Sequence, residues 1–180
     1  MLTDMMTYYR HLLRTTLILS TAAIIALPSS SIQAEEISHN GNWTAHVHQD
    51  NGDKVCYMTS QPDKAQGNYK SRGDIFAFIT HRPSKNSKNV FSYIAGYTYK
   101  ADSEVTVSID NKTFTLLPHG NIAWTPDDKA DEAITDAIRK GNKMVVKGYS
   151  SRGTLTTDTF SLSGSGASYK AISEECGVKF

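Results

Sequence analysis

His46 and His48 stand two residues apart in Trp43-Thr44-Ala45-His46-Val47-His48. On a strand both imidazoles share one face, the arrangement that a pair of metal ligands uses. A metal-assisted hydrolase could be built on them, but a zinc centre needs at least a third protein ligand. His81, His119 or a carboxylate would have to arrive from other strands. Serine, histidine and aspartate are all present for acyl transfer, yet the Gly-x-Ser-x-Gly turn that would expose a serine nucleophile is absent. Gly164-Ser165-Gly166 lies between a strand pattern and a helix pattern, as a phosphate loop would, but Tyr169 stands where the third glycine belongs. Helix capping by Ser165 or Ser168 accounts for that segment. The sequence thus contains no catalytic constellation and implies no cofactor.

The charged residues suggest binding instead. Arg72, Arg82, Lys85 and Lys88 are the expected contact surface for a protein or an envelope component, with structural ion pairing of Arg82 as the equal alternative. Asp158 is expected on the inward face of a strand, where an unpaired carboxylate is costly. Arg152 or a threonine hydroxyl is its expected partner, in a structural role. Lys and Arg number 19 against 18 Asp and Glu. Such a balance lacks the basic footprint of a nucleic-acid binder.

Residues 17–27 form a mostly apolar run after Arg10 and Arg14, and the small-residue stretch 29–34 follows. This is the pattern of a secretory signal peptide, with a cut expected after Ala34 or, failing that, after Ser31. The run is too short to span a bilayer as a helix, and nothing after it comes close. A periplasmic or secreted location follows, in an oxidising compartment where the two cysteines, Cys56 and Cys176, are expected to pair. Without a Cys-x-x-Cys motif the bond reads as a structural staple.

The elements that must position these groups read as short strands with a turn signal about every ten residues. At 104–117, Val105, Val107 and Ile109 alternate with polar residues before Asp110-Asn111, and Phe114 and Leu116 alternate after it. A two-residue turn there sets Val107 opposite Phe114 and Val105 opposite Leu116, with Asn111 taking positive φ. At 143–162 a three-residue loop, Ser151-Arg152-Gly153, sets Met144 opposite Phe160 and Asp158 opposite Val146. Further strands are expected at 43–48, 55–60, 74–80 and 90–97, with Phe76, Phe78, Tyr93, Tyr97 and Tyr99 as core aromatics. Residues 61–72 are expected to form a mobile surface loop. One helix is well signalled at 126–140, capped by Thr125, started by Pro126 and closed by Gly141. Trp124 would anchor it, and a short helix at 167–175 would carry Cys176 back toward Cys56. The expected fold is mainly β: one domain at 35–180, a sandwich-like arrangement of about eight or nine short strands with two helices.

Several stretches together resemble the invasion-associated locus B family of bacterial envelope proteins. They are Gly41-Asn42-Trp43, Val55-Cys56-Tyr57, Arg72-Gly73-Asp74, the run from Phe78 through His81-Arg82-Pro83, Ala95-Gly96-Tyr97, Ser151-Arg152-Gly153-Thr154, Thr157-Asp158-Thr159-Phe160 and the final Cys176. The resemblance implies an exported β-rich domain with a disulfide, found in alphaproteobacteria and named for a link to host-cell invasion. It supplies no catalytic residues. The leading expectation is therefore a non-enzymatic binding module acting in host-cell invasion or envelope and stress physiology. A periplasmic hydrolase using His46 and His48, and a purely structural envelope protein, are the alternatives.

Overall fold

The computed structural model describes residues 34–179, so the apolar run at 17–27 lies outside the described residues. The strands are β1 (Glu35–Asn40), β2 (Trp43–Asp50), β3 (Asp53–Ser60), β4 (Lys64–Gly67), β5 (Phe76–Arg82), β6 (Ser87–Ile94), β7 (Val105–Ile109), β8 (Lys112–His119), β9 (Ile122–Trp124), β10 (Lys143–Tyr149) and β11 (Leu155–Ser161). The helices are α1 (Asp128–Lys140) and α2 (Ser165–Cys176). All strands join one antiparallel sheet in the order β1-β2-β3-β5-β6-β9-β8-β7-β10-β11-β4. The fold is mainly β and sandwich-like. The strands beyond the expected eight or nine are short or polar: β1, β4 and β9.

The sheet turns back on itself along β8. Residues 112–116 of that strand pair with β7, whereas Leu117, Pro118 and His119 pair with β9. The inward faces of the two halves then meet. Tyr93 of β6 packs edge-to-face on Phe160 of β11 at 6.1 Å, and the buried Trp43 indole donates to the Ser161 carbonyl at 3.1 Å. Strand alternation builds this core. Val105, Val107 and Ile109 of β7 face Met144 and Val146 of β10 and Phe160 of β11, all essentially without exposure. The helices close the rest of the core, α1 against β6 and α2 against β1, β2, β3 and β5. Ile134, Ile138 and Ile172 supply their buried sides.

Both hairpin registers match the alternation pattern: Val107 faces Phe114, Val105 faces Leu116, Met144 faces Phe160 and Asp158 faces Val146. The Asp110-Asn111 turn differs, because Asp110 takes the positive φ of 48° that was expected of Asn111. Helix α1 starts two residues later than its proline suggests. The Asp127 carboxylate caps it by accepting from Ala130 N–H at 2.8 Å, while the Thr125 hydroxyl donates to the buried Asp131. The segment 61–72 is not simply a loop. It contains β4, which pairs with β11 from Thr156 to Thr159. Among the described residues no helix is long and apolar enough to cross a membrane.

Candidate functional site

Arg72 follows β4 and precedes β5, and its side chain points inward rather than out. Its guanidinium grips the Asp158 carboxylate with both forks, Nη1 to Oδ1 and Nη2 to Oδ2 at 2.7 Å each, and its Nε donates to the Ala95 carbonyl at 2.6 Å. The two side chains are only 4% and 1% exposed. The Tyr93 hydroxyl donates to the same carboxylate. The Tyr97 and Tyr69 rings flank the guanidinium, with centroids 4.8 and 5.6 Å from Cζ, a placement that adds cation-π attraction in a desolvated setting.

This cluster corrects two expectations. Arg72 does not offer a free exposed charge, although it lines the cleft described below, because Asp158 on the inward face of β11 needs a cation with bidentate geometry and Arg72 supplies it. Arg152, expected along with a threonine hydroxyl as a candidate partner of Asp158, sits exposed at the tip of the β10–β11 hairpin. Tyr93 and Tyr97 complete the cluster, and no sequence motif marks them. The useful signal was Asp158 itself, an acid on an apolar strand face.

The cluster is chemically quiet. Burial works against the Arg72 charge, but hydrogen bonds and the charge of Asp158 outweigh it and hold the guanidinium above its ordinary range. Burial, followed by the Asp158 charge, pushes the Tyr93 phenol far up, so it stays protonated. Neither group exchanges a proton near neutral pH, and neither suits general acid or base work.

Above the cluster lies a cleft of about 830 Å³. Three segments wall it: residues 68–73, residues 96–98 and the β10–β11 tip. They are stitched together by backbone hydrogen bonds, Gly73 N–H to Gly96 O at 2.9 Å and Ser151 N–H to Thr98 O at 2.8 Å. The Tyr97 hydroxyl meets Thr156 Oγ1 at 2.7 Å. Gly96 has φ of +72°, and a Cβ there would overlap the Gly73 carbonyl, so glycine is required for the approach.

The other expected residues lie elsewhere. Arg82, half-buried, ends β5 and precedes a short 3-10 helix (Pro83–Lys85), and Lys85 and Lys88 are exposed beside it. Seven residues of β5 separate this group from Arg72, a span of about 20 Å at the usual strand rise. The four basic residues therefore do not make one surface. His46 and His48 do share a face of β2, but both pack on Tyr57, His46 stacked at 4.9 Å and His48 edge-on at 5.7 Å. Burial lowers the affinity of His46 for a proton. Among the described residues no group of three or more His, Cys, Asp or Glu is placed to hold a metal. The same outward sheet face carries Phe76 and Phe78, half-buried rather than core, and Trp124, which is 41% exposed instead of anchoring α1. Cys56 of β3 and Cys176 at the end of α2 are joined by a disulfide.

The chain matches the family model described as Invasion associated locus B (IalB) protein over residues 43–173. The chain belongs to this family. The matched span runs from Trp43 to Ser173 and includes Arg72, Asp158 and every wall of the cleft. Among solved structures, the crystal structure of invasion associated protein B from Bartonella henselae is similar, with 16% identity and a TM-score of 0.50. The alignment covers 79% of this chain and 97% of that one. At that identity the likeness concerns the fold alone. None of the curated proteins matches.

Proposed function

We propose that this IalB-family protein is a non-enzymatic binding module that works in the periplasm or after secretion. It holds a protein or an envelope component in the cleft above Arg72 and Asp158, and through it serves host-cell invasion or envelope physiology. The observation that carries this reading is the pairing of the buried ionisable groups. Arg72, Asp158 and Tyr93 satisfy one another, which leaves a fixed polar cleft whose buried ionisable groups, among the described residues, are already paired. A rigid scaffold presenting loops is how binding sites are commonly built. Export is supported by the apolar run at 17–27 and by the disulfide, which suits an oxidising compartment.

The test fills the cleft. Thr98 is exposed on its wall, so Thr98→Trp should occupy the space without disturbing the core. Immobilised oxidised wild-type protein should retain a component of a bacterial envelope extract that Thr98→Trp of equal thermal stability does not. Equal retention by the two proteins removes the cleft from the reading.

A further inference from the structure

We infer that the ligand of this cleft is an acidic saccharide, a chain of hydroxyl-bearing units with at least one carboxylate or other oxyanion; this rests on the cleft being the binding site proposed above. The charge pattern gives the anion. Lys70 on one wall and Arg152 on the hairpin tip are both exposed, and neither joins an ion pair among the described residues. Among the described residues no acidic side chain lines the cleft. The one carboxylate beneath it, that of Asp158, is already gripped by Arg72. Two cations without partners beside a neutralised floor make a site of positive potential, and such clefts concentrate anions.

The remaining lining gives the hydroxyls. Asn68, Ser71, Thr98, Ser151 and Thr154 supply amide and hydroxyl groups, each able to donate and to accept. Among the described residues no aliphatic side chain lines the cleft. Peptide and protein partners draw most of their affinity from apolar and aromatic anchors seated in pockets, and this cleft has no seat for a leucine or a valine. The tyrosines at its base, Tyr69 and Tyr97, already turn ring faces to Arg72. A ligand rich in hydroxyls uses such a surface fully, whereas a peptide does not.

The walls are fixed in advance. The Gly73–Gly96 and Ser151–Thr98 hydrogen bonds join them, and the Ser150 hydroxyl accepts from Thr154 N–H at 3.2 Å to hold the hairpin tip. Little ordering remains to be done on binding, which favours affinity for a flexible, weakly adhesive ligand. The volume lies in the usual range for small-molecule sites, roughly 300 to 1,000 Å³.

Calorimetry and NMR titration of the oxidised protein test this with four probes: trigalacturonate, neutral maltotriose, inorganic phosphate and a pentaglutamate peptide. Trigalacturonate should bind, with shifts at residues 68–72, 97–98 and 151–154. Maltotriose and phosphate should each bind at least tenfold more weakly, and pentaglutamate no better than they do. The double variant Lys70→Ala/Arg152→Ala, altering two exposed unpaired side chains, should keep its thermal midpoint and lose at least tenfold of the trigalacturonate affinity. No trigalacturonate binding, equal maltotriose binding, or an unaffected double variant overturns the inference. Phosphate binding as tight as trigalacturonate reduces the site to one for a bare oxyanion, and tighter pentaglutamate binding makes it a peptide site; either overturns it. If Thr98→Trp still abolishes retention of the envelope component while the saccharide fails, the binding reading stands and only the ligand class falls. If Thr98→Trp changes nothing, both fall.

Discussion

Arg72 and Asp158 are 86 residues apart in the chain, yet they meet fork to fork at 2.7 Å with almost no exposure. Removing one partner leaves the other charge buried and uncompensated, so Arg72→Met or Asp158→Asn should each cost about 3 to 5 kcal/mol in denaturant unfolding. Arg72→Met/Asp158→Asn should cost less than the sum of the two. Strict additivity in that double-mutant cycle would mean that the pair is not a unit. Tyr93→Phe, which takes one donor from the carboxylate, should cost about 1 to 3 kcal/mol.

The close approach at Gly73 and Gly96 offers a second measurement. Gly96→Ala places a methyl group on the Gly73 carbonyl and strains a residue at φ of +72°. A loss of roughly 2 kcal/mol or more is expected from the combination of clash and left-handed strain. Gly120 has φ of +62° but open space around its α-carbon, so Gly120→Ala carries only the strain and should cost about 1 kcal/mol. Thermal unfolding of the two variants side by side separates the terms, and equal losses would show that the approach of the two backbones is not tight.

The disulfide closes a loop with a sequence separation of 120. In the chain-entropy account a loop of that length is worth about 4 to 5 kcal/mol, less any strain. Cys56→Ser/Cys176→Ser should therefore lower the unfolding free energy by about 2 to 5 kcal/mol, and reductant should do the same to the wild type and nothing further to the variant. Because β3 and α2 are also held by burial of Met58 and Ile172, circular dichroism of the variant at low temperature should retain the strand signal.

Strands with one buried face were legible because a period of two admits only one register once that face is apolar. Val105, Val107 and Ile109 against Leu116, and Met144 and Phe160 across their hairpin, are of this kind. Strands β1 and β4 were not. Their sequences, EEISHN and KAQG, are polar, and β4 is fully exposed; pairing with a neighbour makes them strands, and no local pattern records that. Phe76 and Phe78 misled for the opposite reason, since aromatic alternation cannot say which side of a sheet is covered. At the site, Asp158 declared its need for a partner, but nothing local pointed to one 86 residues earlier. The arginine that looked available for a ligand was the partner, and the one assigned to structure was left free.

His81 is fully buried, and the groups around it fix its protonation state. Its Nδ1 accepts from Asn89 N–H at 3.0 Å, its Nε2 lies 3.2 Å from the Ser173 hydroxyl, and the Tyr169 ring meets it edge-on at 5.6 Å. Lys88 is the charged neighbour. Burial first, then the Lys88 charge, pushes the imidazole down to about 4 from an ordinary 6.5. The folded protein thus keeps His81 neutral where the unfolded chain takes up a proton. Stability from this residue is complete above pH 6.5 and drains away as the pH falls toward 4, by roughly 3 kcal/mol over that window. His81→Gln keeps one donor and one acceptor in place but does not titrate, so its stability should change less between pH 7 and pH 4. Urea unfolding of both proteins at the two pH values provides the check: parallel losses in wild type and variant would show that His81 is not the group that titrates.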